Sequence, residues 1–226
     1  MMHKIVKNIS RPNQEDIAKL GELGAATVHE AMGRTGLLKP YLRPVDAKMK
    51  VCGTAVTVSC HPGDNLMIHA AIEVCQPGDV LVVTVTSDNT DGMFGELLAV
   101  SARAHGVRGL IIDAGVRDTV EITEMNFPVF AKAVSAKGTV KATPGSVNVP
   151  VVCAGTLINP GDVIIGDADG VVCVPKEQVS EAIAQGQARI ERENKTKARL
   201  AAGELGLDIY NLRPKLEALG VVYVEE

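Results

Sequence analysis

Tryptophan is absent from this chain of 226 residues, and aromatic residues supply only 3% of it. Its core must be built from Val, Ile, Leu and Ala, within a hydrophobic fraction of 46%. A chain of this length can bury a substantial core, and an aliphatic one suits an α/β protein better than an aromatic-rich β-sandwich. No run reaches the ~18 apolar residues needed to span a membrane. Met1-Met2-His3-Lys4-Ile5-Val6-Lys7 lacks the apolar stretch of a signal peptide, so a cytoplasmic protein without a membrane partner is expected. Positive charge is not in excess. The net charge is -4, which gives no field to attract nucleic acid. The Lys and Arg residues near the C-terminus alternate with Glu, as on a solvated helix face.

Other absences concern chemistry. Five cysteines (Cys52, Cys60, Cys75, Cys153 and Cys173) show no C-x-x-C spacing, and they read as buried free thiols. His29, His61, His69 and His105 form no H-E-x-x-H or H-x-H pattern. Nucleophile elbow, Walker loop and dinucleotide fingerprint are all missing. Serine-triad and nucleotide chemistry therefore have no support. A Schiff-base lysine carries no local signature, and no lysine stands out.

What is present is an alternation of helices and strands without low-complexity linkers, read as one domain over residues 1–226. Helix is expected over 13–33, broken near Gly24, and over 66–75. A polar loop at 87–92 leads into another helix ending near 105, and a short one covers 119–125. Strands are expected at 51–60, 80–86, 109–113, 128–134 and 149–154. Residues 163–165 and 171–174 read as a hairpin. Pro175 is placed at the first position of a long charged helix over 176–202, with short helices at 204–210 and 214–219. Pro-Gly-Asp occurs three times, at 62–64, 77–79 and 160–162, each read as a turn.

Two segments could carry a reaction. In Ile111-Ile112-Asp113-Ala114-Gly115-Val116-Arg117-Asp118 an apolar strand ends in small residues, and active sites of α/β proteins favour the carboxyl ends of strands. Arg117 offers a planar fork for a carboxylate. Asp118 offers a hard oxygen to Mg²⁺ or Mn²⁺. The competing reading makes Asp118 an N-cap with Glu121 at N3. In Asp91-Gly92-Met93-Phe94-Gly95-Glu96-Leu97-Leu98 a glycine-bearing loop enters a helix, whose free amides bind anions. The competing reading has Glu96 merely complementing the helix dipole.

Glu96, twenty residues and then Arg117-Asp118 resembles the acidic-x20-Arg-Asp motif of the 4-hydroxy-4-methyl-2-oxoglutarate / 4-carboxy-4-hydroxy-2-oxoadipate aldolases. These share a fold with the regulator of ribonuclease E activity A. Thr27-Val28-His29-Glu30-Ala31, Gly33-Arg34-Thr35-Gly36, Pro62-Gly63-Asp64-Asn65, 145–151 and 203–208 extend the likeness over nearly the whole chain. It implies an RraA-like layered α/β fold, with a central mixed β-sheet and a long C-terminal helix. It implies a class II pyruvate aldolase that decarboxylates oxaloacetate as a side activity. In that scheme Asp118 ligates a divalent metal, Mg²⁺ first, and Arg117 holds the pyruvyl group of a 2-keto acid. Gly95 and the amides of Leu97 and Leu98 bind its carboxylate, while Glu96 holds water on the metal. Glu193, or else Glu191, of a neighbouring subunit completes the site in a homotrimer or homohexamer. The motif's first position is commonly Asp, so Glu96 is a departure. A dedicated decarboxylase, another 2-keto-4-hydroxy acid lyase and a non-catalytic ribonuclease regulator are the alternatives.

Overall fold

The computed structural model describes residues 3–225. In chain order the elements are α1 (Gln14–Leu23), α2 (Ala25–Ala31), β1 (Arg43–Pro44), β2 (Val51–Cys60), α3 (Leu66–Val74), β3 (Asp79–Val85) and β4 (Gly92–Phe94). There follow α4 (Glu96–Ala104), β5 (Gly109–Val116), α5 (Thr119–Glu124), β6 (Val129–Val134), β7 (Ser146–Val147), β8 (Val151–Cys153) and β9 (Thr156–Ile158). The last are β10 (Val163–Asp167), β11 (Gly170–Val174), α6 (Val179–Ala201), α7 (Gly206–Ile209) and α8 (Arg213–Ala218). The chain divides into two compact units, residues 1–186 and 187–226.

The first unit is built on a mixed sheet in the order β1-β6-β5-β3-β2-β10-β11. Its centre, β2-β3-β5-β6, is parallel, and β10 and β11 extend it antiparallel. Buried on both faces, the central strands read as continuous aliphatic runs rather than alternating ones. Val80 to Val83 are all fully buried. Ile68, Leu98, Ala102 and Ile122 of α3, α4 and α5 pack on one face with Leu81, Val83 and Ile112. Val80, Val82 and Ile111 turn to the other face, against Leu38, Leu42, Val151 and Ile158. A third cluster joins α1 and α2 to β10, β11 and the first turns of α6.

Three expectations need correction. The loop expected at 87–92 ends in a strand, β4, that pairs parallel with the end of β5. The strand expected over 149–154 is instead β8, which turns at Ala154 and Gly155 into β9. Pro175 precedes a 3-10 turn at Lys176–Gln178, and the α-helix begins at Val179.

The second unit consists of the rest of α6 followed by α7 and α8. Arg199 pairs with Glu204 (2.6 Å), closing the turn after α6. No helix among the described residues is long and apolar enough to cross a membrane.

Candidate active site

β4 is the element that assembles the site. It lies parallel to β5 with Phe94 opposite Val116, and the Arg117 amide donates to the Phe94 carbonyl (2.9 Å). The two chain segments leaving these strands, Gly95-Glu96 and Arg117-Asp118, thereby run side by side at the carboxyl end of the sheet.

Asp118 does not cap its own helix. It precedes α5 in the left-handed conformation (φ 54, ψ 42) and makes no side-chain cap bond there. This geometry is costly for a residue with a Cβ. The capping-box reading fails for this reason: the carboxylate points across to the neighbouring segment. Its Oδ2 accepts the Glu96 amide at 3.0 Å and lies 3.6 Å from Arg117 Nε.

Helix α4 begins at Glu96 after Gly95, whose backbone is extended (φ -146) and which has no capping side chain. Asp118 supplies the missing acceptor for the first amide, and the Ala99 amide turns to the Gly95 carbonyl (3.1 Å). The intervening amides of Leu97 and Leu98 have no acceptor among the described residues. Two free N–H groups at a helix start, beside a half-exposed arginine (side chain 46% exposed), make a receptor for a carboxylate.

A cavity of about 110 Å³ opens here, lined by Gly95, Leu97, Leu98, Arg117 and Asp118 together with Asn65, His69 and Lys141. Those last three were not singled out from the sequence as site residues. The Pro62-Gly63-Asp64-Asn65 turn positions them. Asp64 Oδ2 accepts the amides of Ala142 (2.8 Å) and Thr143 (2.6 Å), which fixes the loop bearing Lys141. Burial, with Lys141 second, pushes the His69 imidazole below its ordinary value, so it is neutral at neutral pH. A larger cavity of about 800 Å³ lies by Cys60, His61, Thr84 and Val152, but no Asp or Glu lines it, so it offers no carboxylate to a hard cation.

The structure thus brings together Gly95, Glu96, Leu97, Leu98, Arg117 and Asp118. Glu193 belongs to the second unit, where it pairs with Arg189 (2.7 Å) on α6. Among the described residues no three His, Cys, Asp or Glu side chains cluster to hold an ion by themselves. That donor set fits a hard cation that keeps most of its water and takes one carboxylate and a chelating substrate. Asp118 Oδ1, which accepts no hydrogen bond among the described residues, is the oxygen free to do so.

The family model described as Aldolase/RraA, for RraA-like proteins, matches residues 25–173. The chain belongs to the RraA-like family. A relative from Halalkalibacterium halodurans, provisionally named 4-hydroxy-4-methyl-2-oxoglutarate aldolase, is 30% identical over 181 residues, 80% of this chain and 86% of that protein. An uncharacterized protein of Methanocaldococcus jannaschii is 32% identical over 209 residues, 92% of this chain and 93% of its own length. The solved structure of Streptomyces coelicolor RraAS2, described as an unusual member of the RNase ES inhibitor RraA family, superposes with a TM-score of 0.74. That match has 26% identity and covers 84% of this chain and 99% of RraAS2. The RraA-like α/β fold with its mixed sheet and long C-terminal helix is the one expected from the sequence.

Proposed function

We propose that the chain is a divalent-metal-dependent aldolase of 2-keto-4-hydroxy acids. On this reading it cleaves 4-carboxy-4-hydroxy-2-oxoadipate to pyruvate and oxaloacetate, and 4-hydroxy-4-methyl-2-oxoglutarate to two pyruvates. One observation carries the reading: a carboxylate receptor, made by Arg117 and the free amides of Leu97 and Leu98, abuts the unpaired Oδ1 of Asp118. The provisional names of the curated relatives support it.

Cleavage breaks the C3–C4 bond, and its electron pair passes into the enolate of pyruvate. The C4 hydroxyl gives up its proton as C4 becomes a carbonyl, and C3 later takes one. Arg117 and the two amides hold the pyruvyl carboxylate and place fixed positive charge beside the developing enolate. Glu96 is the nearest acid in sequence to these amides, and its carboxylate would hold the water that serves the proton transfers. Glu193, contributed by a neighbouring subunit of a homotrimer or homohexamer, is the second acid, with Glu191 the alternative. A divalent cation on Asp118, Mg²⁺ in the first instance, would supply Lewis-acid stabilisation of the enolate. Loss of CO₂ from oxaloacetate gives the same enolate, so the chain decarboxylates oxaloacetate as well.

The test is a coupled pyruvate assay on both aldol substrates and on oxaloacetate, with Mg²⁺ and again with chelator. Pyruvate that appears only with the metal is the expected result. No pyruvate from any of the three sinks the reading, and activity that survives chelation points to a lysine Schiff base instead. The likeness to RraAS2 favours a second reading, a protein-binding regulator. Leu97 (83% exposed), Val100 and Val120 would then form its apolar contact.

A further inference from the structure

We infer that Lys141 holds the distal carboxylate of the substrate, so that the chain selects 2-keto acids carrying a second carboxylate. This rests on the aldolase reading above and deepens it. Lys141 lines the same cavity as Arg117 and Asp118. It is an exposed lysine, but its backbone is firmly held. Both of its chain neighbours are tied to the turn that precedes α3. The Val140 amide donates to the Gly63 carbonyl (3.1 Å), and the Val140 carbonyl accepts the Asn65 amide (3.0 Å). The Ala142 amide donates to Asp64 Oδ2 (2.8 Å). Earlier in the same loop the chain runs past the arginine: a Cβ on Gly138 would stand 3.3 Å from Arg117 Nη1. The loop thus carries Lys141 at a fixed place beside the carboxylate receptor.

The charge on Lys141 has no counter-charge. Lys137, in the same loop, is neutralised by Asp91 at 3.0 Å. Lys141 forms no ion pair or side-chain hydrogen bond among the described residues. Asp118, the one acid in the cavity wall, lies against Arg117 instead. The ammonium group is near enough to help depress the His69 imidazole, so its field reaches the cavity. Arg117 and the amides of Leu97 and Leu98 serve one carboxylate. Both substrates proposed above carry at least one more, attached to C4 or to the next carbon. A carboxylate taken out of water without a partner is costly, and a charge-assisted bond to an ammonium offsets that. With His69 neutral, Lys141 is the remaining cation of the wall. Its flexible stem and three donors can meet a carboxylate at either carbon. The distal carboxylate keeps its charge while the C3–C4 bond breaks, so loss of this contact falls on binding.

Calorimetric binding of pyruvate and of 2-oxoglutarate, both with Mg²⁺, tests this on the wild type, Lys141→Met and Lys141→Arg. 2-Oxoglutarate has the pyruvyl end and a carboxylate on C4, whereas pyruvate has the pyruvyl end alone. Comparing the two ligands on one preparation sets aside any loss of folded protein. In Lys141→Met the affinity for 2-oxoglutarate should fall about ten-fold, with that for pyruvate unchanged, and Lys141→Arg should keep most of it. Equal losses for both ligands in Lys141→Met, or no loss for either, would overturn the inference. So would a wild type that binds pyruvate but not 2-oxoglutarate. Wild-type protein that makes no pyruvate from 4-hydroxy-4-methyl-2-oxoglutarate would remove the aldolase reading itself, and this inference with it.

Discussion

Gly95 is the residue whose substitution best separates site from fold. Its backbone is extended (φ -146, ψ -169), a conformation alanine adopts freely, so the constraint is space and not backbone freedom. A Cβ there would stand 2.3 Å from Asp118 Oδ2 and 3.0 Å from Arg117 Cγ. Gly95→Ala should therefore displace the carboxylate and lower the melting temperature only by the ~2–4 °C expected for one lost helix-capping bond. The expected loss in kcat/KM is about 10²-fold, measured in the metal-supplemented pyruvate assay. A wild-type rate would show that the close approach of Gly95 to Asp118 has no part in turnover. At this scale the sequence was half legible. Arg117 and Asp118 announce themselves by residue type at a strand end. The unusual backbone of Asp118 does not, because aspartate before a helix normally means a cap. Asn65, His69 and Lys141 carry no spacing signal, since a turn and a distant loop bring them together.

The three Pro-Gly-Asp turns show how elements are pinned. Asp64, Asp79 and Asp162 are all buried, and each takes backbone amides at a turn: Leu66 (2.9 Å), Gln76 (2.7 Å) and Asn159 (2.8 Å) respectively. Asp79 also receives a two-pronged bond from Arg11 (2.9 and 2.8 Å), which ties the N-terminal segment to β3. Burial pushes the Asp64 carboxyl up, but the amides of Leu66, Ala142 and Thr143 outweigh it, and the net shift is downward. The folded state thus holds this proton less tightly than the unfolded one, so the turn's stabilisation is present above the ordinary carboxylate range. It is lost as pH falls through the lowered folded value. In urea melts from pH 6 to pH 3, Asp64→Asn should flatten part of the wild type's acid destabilisation. An identical slope in both proteins would count against the assignment. The turn signals were plain in the sequence. β4 was not, because three residues, Gly92-Met93-Phe94, give no period to read. The β8–β9 turn was hidden because Ala154 occupies a left-handed position (φ 46) where Asn or Gly would signal one. The Ala154 amide is held there by Asp113 Oδ2 at 2.9 Å.

At the scale of the whole molecule, the aliphatic composition forecast an α/β protein rather than a β-sandwich, and the core clusters cover both faces of one sheet. The cysteines belong to that packing. All five are free, and burial pushes Cys52, Cys60 and Cys75 up to about 12, with Cys153 and Cys173 raised further. At pH 8 the native protein should resist a maleimide or disulfide reagent, and all five thiols should react in denaturant. Fast labelling of the native state would contradict this packing. The completion of the site by Glu193 was proposed from chain-wide likeness, because no local pattern marks one acid on a helix so rich in charge. The family includes relatives named as aldolases and others described as ribonuclease inhibitors, and Asp118 bears on how such a mixture arises. One of its oxygens ends helix α4 and the other is free for chemistry. A lineage that gave up catalysis would still be under selection to keep this aspartate, for the sake of the helix. Possession of the aspartate alone is therefore a poor marker of an enzyme in this family. The informative neighbour is one with no such second employment, Arg117.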